Sequence, residues 1–71
     1  MEIIVYSSVL CPYCKAAKEL LESLDLKYKE ILIDNAPEVK KQMINKSSGK
    51  KTVPQVFISG NHIGGYDDLK E

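Results

Sequence analysis

Glu2-Ile3-Ile4-Val5-Tyr6-Ser7, followed by Ser8-Val9-Leu10-Cys11-Pro12-Tyr13-Cys14, is the stretch that decides the fold. Its first six residues form a short β-branched run, which predicts a strand buried on both faces and central in a sheet. From Pro12 to Leu24, the residues Ala16, Ala17, Leu20, Leu21 and Leu24 recur at helical spacing. Pro12 suits the first helical position, where its missing N–H costs nothing. A strand therefore leads into a helix, and the two cysteines sit where the helix starts.

Working outward, Tyr28 to Ile33 is a second strand, and a strand–helix–strand crossover of this length implies a parallel pair joined right-handedly. Asn35-Ala36-Pro37 opens a second helix running to about Ser47. Val39 and Met43 give it a narrow apolar stripe that covers little core, and Gly49 is its stop. Gln55 to Ser59 and His62-Ile63 are short strands separated by Gly60-Asn61, a two-residue loop of the kind that closes an antiparallel hairpin. Gly64-Gly65-Tyr66-Asp67-Asp68 then leads into a last helix at Leu69-Lys70-Glu71, with acidic residues near its positive end. The order βαβαββα is that of an α/β protein with a mixed sheet flanked by helices.

The 71 residues and 8.0 kDa set a scale of one domain, 1–71, with a thin core, since a chain this short buries only about 60% of its unfolded surface. Hydrophobic residues at 44% and charged residues at 28% exclude a disordered or collagen-like chain. Ten basic and ten acidic residues balance to a net charge of +0, which lacks the footprint of a nucleic-acid-binding domain. Residues 1–36 carry four lysines against six acids and residues 37–71 six lysines against four, an excess that suits a small anionic ligand at most. No run approaches the roughly 18 apolar residues of a membrane span, and Met1-Glu2-Ile3 does not begin a signal peptide. A soluble, cytoplasmic protein that binds neither membrane nor nucleic acid is expected.

The chemistry concentrates in Cys11-Pro12-Tyr13-Cys14, a C-x-x-C between a strand and a helix of a βαβ unit. If Cys11 enters the helix, its sulfur faces the unpaired N–H groups of the first turn and the positive end of the helix dipole. Both favour thiolate over thiol, and Lys15 and Lys18 add weaker positive charge. A thiolate attacks a disulfide, and a second thiol one helical turn away can attack the resulting mixed disulfide. Cys11 is then the nucleophile and Cys14 the resolving thiol. The competing readings are a zinc half-site, an inert apolar pair and a local structural disulfide. A closed zinc site needs four ligands, and the chain offers these cysteines and one distant histidine, His62. An inert pair belongs inside an element, not at a Pro-marked helix start.

Three segments, Cys11-Pro12-Tyr13-Cys14, Thr52-Val53-Pro54 and Gly64-Gly65-Tyr66-Asp67-Asp68, lie in the order and spacing of a dithiol glutaredoxin, and the chain resembles that branch of the thioredoxin-fold superfamily over essentially its whole length. The resemblance implies a thioredoxin-like fold with a four-stranded mixed sheet. It also implies glutathione as co-substrate, no metal, and a redox-active disulfide between Cys11 and Cys14. The implied activity is reduction of protein disulfides and protein–glutathione mixed disulfides in cell redox homeostasis and electron transfer. Ribonucleotide reductase is one protein substrate the family suggests, and a monomer is expected. The alternative from a different class is a glutathione-assisted iron–sulfur cluster-binding module, which Pro12 and Tyr13 disfavour.

The resemblance also assigns residues. A proline at a strand start is ordinarily trans and merely blunts a ladder. The family implies instead a cis Val53–Pro54 bond, with the Val53 backbone turned outward beside Cys11 to pair with glutathione's cysteine. Thr52, Val53 and Pro54 are therefore expected to bind glutathione. Gly64-Gly65 read alone is a turn and Asp67 a first-turn acid; the resemblance makes Gly65, Tyr66 and Asp67 the holder of the γ-glutamyl end, with Asp67 near its ammonium group. Tyr13 is either a solvated aromatic or, as the family implies, a ligand contact. Lys50 and Lys51 read as a solvated loop pair, with Lys51 the expected contact for the glycyl carboxylate. His62 is expected to be a hairpin residue and not a catalyst.

This sequence departs from the family pattern at three places. Ser7-Ser8-Val9-Leu10 carries no basic residue ahead of Cys11, Tyr66 stands where many relatives have a third cysteine, and the end at Glu71 cuts the last helix short, with a thinner core and lower stability expected.

Overall fold

The structure, a computed structural model, describes residues 1–70. The elements are β1 (Ile3–Ser7), α1 (Pro12–Ser23), β2 (Lys29–Leu32), α2 (Pro37–Lys46), β3 (Gln55–Ile58), β4 (Asn61–Gly64) and α3 (Tyr66–Leu69). Their order is the expected βαβαββα. The sheet runs β2-β1-β3-β4, with β1 parallel to β2 and antiparallel to β3, and β3 antiparallel to β4. As the apolar run implied, β1 is interior, flanked on both edges.

Alternation along β1 sends side chains to two cores, one on each face of the sheet. Ile3 and Val5 pack with Leu21 of α1 and Val56 of β3, joined by Leu26, Tyr28, Ile58, Ile63 and Leu69. Tyr6 goes the other way, to Met43 of α2 and Phe57 of β3, and its ring meets Phe57 edge-on at 5.7 Å. The second helix contributes more than its narrow stripe suggested. Met43 is 0% exposed, and Val39 and Ile44 flank it, so one methionine closes this face of the sheet.

Several boundaries differ from the expectation for local reasons. The hairpin turn is Ser59-Gly60, not Gly60-Asn61: both turn residues have positive φ, 51° and 82°, as a two-residue turn matched to strand twist requires, and Asn61 already pairs with Ile58. A register shift follows, since Val56 pairs with Gly64 and Phe57 with His62; Ile63 is the extra residue of a bulge. The last helix begins at Tyr66, three residues earlier than Leu69, and its expected end at Glu71 lies outside the described residues. Among the described residues no helix is long and apolar enough to cross a membrane.

Parallel pairing of β1 with β2 brings their C-terminal ends side by side, the end at which open α/β sheets place their chemistry. Ile33 N–H donates to the Ser7 carbonyl at 2.9 Å, so Asp34 comes next to Ser8 and Val9. Its carboxylate accepts the Ser8 hydroxyl at 2.7 Å and the Val9 N–H at 2.9 Å. The Ser8 hydroxyl first and the Val9 amide second hold the Asp34 carboxyl below its usual range. The loop that carries Cys11 is thereby tied to the sheet.

Candidate active site

Cys11 is the N-cap of α1, with extended backbone, and its Sγ accepts the Cys14 N–H at 3.2 Å. One of the orphan donors of the first turn thus points at the sulfur. Pro12 at the first helical position removes a donor that would otherwise need a partner. The half-buried Cys11 thiol faces the Val53 carbonyl at 3.7 Å, which ties the helix start to the Thr52-Val53-Pro54 segment. The Val53–Pro54 bond is cis, as the resemblance implied.

Cys14 is the contrasting member of the pair. Both cysteines are free thiols, but Cys14 is 1% exposed. Burial, and after it the hydrogen bond with the Cys11 sulfur, pushes the Cys14 thiol up to about 12, against smaller lowering contributions from the Ser8 backbone and the Lys18 charge. Lys18 lies one turn further along α1 and is held by Glu30 at 2.7 Å, while the buried Ser7 hydroxyl donates to the same carboxylate oxygen at 2.6 Å. The Lys18 hydrogen bond, then the Ser7 one, draws Glu30 below the usual carboxylate range, and Glu30 in turn raises Lys18. A fixed cation therefore stands one helical turn from the buried thiol.

Beside Cys11 a groove of about 210 Å³ is lined by Tyr13, Lys50, Thr52, Val53, Pro54, Gln55 and the run Gly64 to Asp68. Tyr13 is 65% exposed, and its ring faces Tyr66 at 6.3 Å across the groove. The structure thus gathers Tyr13, Thr52, Val53, Pro54, Gly65, Tyr66 and Asp67 around one concavity next to the nucleophile. Lys51 does not line it; Lys50 does. The buried Ser47 at the end of α2 sets this register, because its hydroxyl donates to the Met43 carbonyl at 2.6 Å and the Lys50 carbonyl at 3.1 Å. Ser48 and Gly49, both at positive φ, carry the chain between those anchors.

Gln55 is a further groove residue that the sequence reading did not single out, and Gly64 and Asp68, quoted there as part of a motif without a glutathione contact, line the groove too. Gly64 has φ +122°, and a Cβ there would run into the Asp68 carboxylate, so the turn needs glycine. Asp68 accepts the Gly65 N–H at 3.1 Å and closes the start of α3. Asp67 stays exposed, 3.7 Å from Lys70. Gln55 is 1% exposed, a burial that the sequence around it does not signal. Among the described residues no group of three or more His, Cys, Asp and Glu side chains gathers as a metal-ligand set, and His62 engages Gln55.

Comparison with known proteins gives the same reading. The family model described as Glutaredoxin matches residues 3–63. Glutaredoxin 1 of Rickettsia prowazekii is 50% identical over 68 residues, which cover 94% of this chain and 72% of that protein. The solution structure of glutaredoxin from Brucella melitensis superposes with a TM-score of 0.84 at 40% identity, covering 99% of this chain and 75% of that one. The crystal structure of a buckwheat glutaredoxin–glutathione complex also gives 0.84, at 35% identity, covering 93% of this chain and 62% of that one. With the motif at a helix N-terminus and the fold in agreement, the chain belongs to the glutaredoxin family of thiol–disulfide oxidoreductases.

Proposed function

We propose that this chain reduces protein–glutathione mixed disulfides and protein disulfides with glutathione as electron donor, with Cys11 attacking and Cys14 resolving. The observation that carries the reading is the placement of the Cys11 sulfur. It caps a helix, accepts an amide N–H and touches the carbonyl of Val53, a wall of the groove. Negative charge on this sulfur, whether it attacks or leaves, sits at the positive end of α1.

In the first step the Cys11 thiolate attacks the glutathione sulfur of a glutathionylated protein. The old S–S bond breaks, a Cys11–glutathione disulfide forms, and the protein thiolate leaves and takes a proton from solvent. A second glutathione thiolate then attacks the bound glutathione sulfur; oxidised glutathione departs and the Cys11 thiolate returns. For a protein disulfide, Cys11 forms a mixed disulfide with the substrate and the Cys14 thiolate attacks the Cys11 sulfur. That releases the reduced protein and leaves a Cys11–Cys14 disulfide, which two glutathiones reduce. Glutathione lies with its cysteine along Val53 and its γ-glutamyl end at Gly65, Tyr66 and Asp67, and Lys50, in place of Lys51, attracts its glycyl carboxylate. Family resemblance is what supports a cytoplasmic monomer serving redox homeostasis, with ribonucleotide reductase among its substrates.

Glutathione-dependent turnover of a glutathionylated peptide, followed through oxidised glutathione, tests this reading. Saturable turnover is expected; a chain that turns over only with a flavoprotein-coupled donor, and not with glutathione, contradicts it.

A further inference from the structure

His62, which the chemistry above leaves unused, is joined to the groove by a directed chain of hydrogen bonds. Its Nε2 lies 2.7 Å from Gln55 Oε1. Gln55 Nε2 in turn lies 3.0 Å from the Thr52 carbonyl oxygen and 3.2 Å from Thr52 Oγ1. A carbonyl oxygen only accepts, so the Gln55 atom facing it is the donor nitrogen, and the atom facing His62 is the acceptor oxygen. His62 Nε2 must then carry a proton. At the other end, Thr52 Oγ1 accepts from Gln55, which leaves its own proton free. Thr52 is exposed and lines the groove, so that proton is available to an acceptor there.

We infer that His62 is a positioning residue for glutathione: through Gln55 it holds Thr52 with the hydroxyl proton turned to the groove, where it donates to a carboxylate or peptide oxygen of the ligand. This rests on the glutathione reading given above. His62 has a rigid seat for the task, since its ring lies against Phe57 with centroids 5.0 Å apart and its strand is fixed opposite Phe57 by the β3–β4 register. Gln55 is buried between its partners, and among the described residues no buried side-chain polar atom lacks one. Removing the His62 donor strands the Gln55 oxygen, and the amide is then free to turn away from Thr52. Thr52 also adjoins Val53, whose carbonyl meets the Cys11 thiol, so the chain ends beside the reacting sulfur.

The test compares wild type, His62→Phe and His62→Gln in glutathione-dependent turnover of a glutathionylated peptide. Phe keeps a ring on Phe57 and deletes the donor; Gln can still donate. KM for the glutathionylated peptide, whose glutathione half occupies the groove, is expected to rise about five- to tenfold in His62→Phe, the loss associated with one hydrogen bond, with most of the loss in KM rather than kcat, and to recover in His62→Gln. An unchanged KM in His62→Phe, beside saturable wild-type turnover, overturns this inference alone. A wild type with no dependence on glutathione overturns the glutathione reading as well. Nitrogen NMR of the wild-type ring gives a readout that needs no variant, because His62 is the one histidine of the chain. A proton on Nε2 is expected, and a neutral ring protonated on Nδ1 alone overturns the inference.

Discussion

Burial of Cys14 makes the resolving step strongly pH-dependent, and the size of the effect follows from the structure. The thiol is pushed from an ordinary 9.0 up to about 12, so at pH 7 its thiolate population is about 1,000-fold smaller than that of an unburied thiol. A more basic thiolate is also a better nucleophile. With a Brønsted coefficient of about 0.4–0.5, the rise returns about 20-fold in reactivity, leaving resolution at most about 50-fold slower than by an exposed thiol, because part of the rise comes from the Cys11 sulfur itself. Desolvation is the largest cause and persists when Cys11 is occupied by glutathione, whereas the Cys11 hydrogen bond and charge do not. The assay is stopped-flow release of glutathione from the preformed Cys11–glutathione disulfide, without external thiol, from pH 6 to 10. The rate should climb about tenfold per pH unit across the range accessible below the thiol's own value. A plateau near pH 9 would refute the reasoning and show that the buried environment opens before Cys14 reacts.

Cys14 and Tyr28 also bear on alkaline stability. Both are raised to about 12 in the folded chain, Cys14 by burial and Tyr28 by its hydrogen bond to Glu22. Each group's stabilisation is complete below its ordinary value and is lost as pH rises toward 12, so the urea midpoint should fall progressively above pH 9 and fall less in Tyr28→Phe. Met43→Ala empties the centre of the α2-side core and should cost about 2–5 kcal/mol in equilibrium unfolding; a loss under about 1 kcal/mol would show that this face is loosely packed. Gly64→Ala places a Cβ against the Asp68 carboxylate at φ +122°, so it should lower thermal stability and weaken glutathione binding together. Restoration of both by a second change, Asp68→Ala, would be only partial because the left-handed strain remains.

The order of elements and the nucleophile's position were legible because Pro12 and the apolar run before Cys11 are local signals, read without knowing the partner strands. The glutathione-facing segments were legible through resemblance rather than through their own chemistry: Thr52-Val53-Pro54 and Gly64-Gly65 are ordinary turn sequences until the fold places them beside Cys11. What escaped depends on tertiary register. Ser59 adopts a left-handed φ that favours glycine, and the turn moved by one residue. Lys50 replaces Lys51 at the groove because the buried Ser47 hydroxyl fixes how the chain leaves α2. Gln55 and His62 are seven residues apart in sequence, and they meet only because the hairpin, with its bulge at Ile63, brings His62 across from Phe57. Nothing in the local sequence around either residue announces that contact.

The most direct test of the account is the site of the first covalent intermediate. Mixing a glutathionylated peptide with the Cys14→Ser variant, quenching with acid and mapping by mass spectrometry should give one glutathione on Cys11, released as oxidised glutathione when free glutathione is added; Cys11→Ser should give no adduct. A peptide, rather than glutathione, joined to Cys11, or an adduct on Cys14 in the Cys11→Ser chain, would contradict the assignment of the two thiols and the orientation of the substrate in the groove.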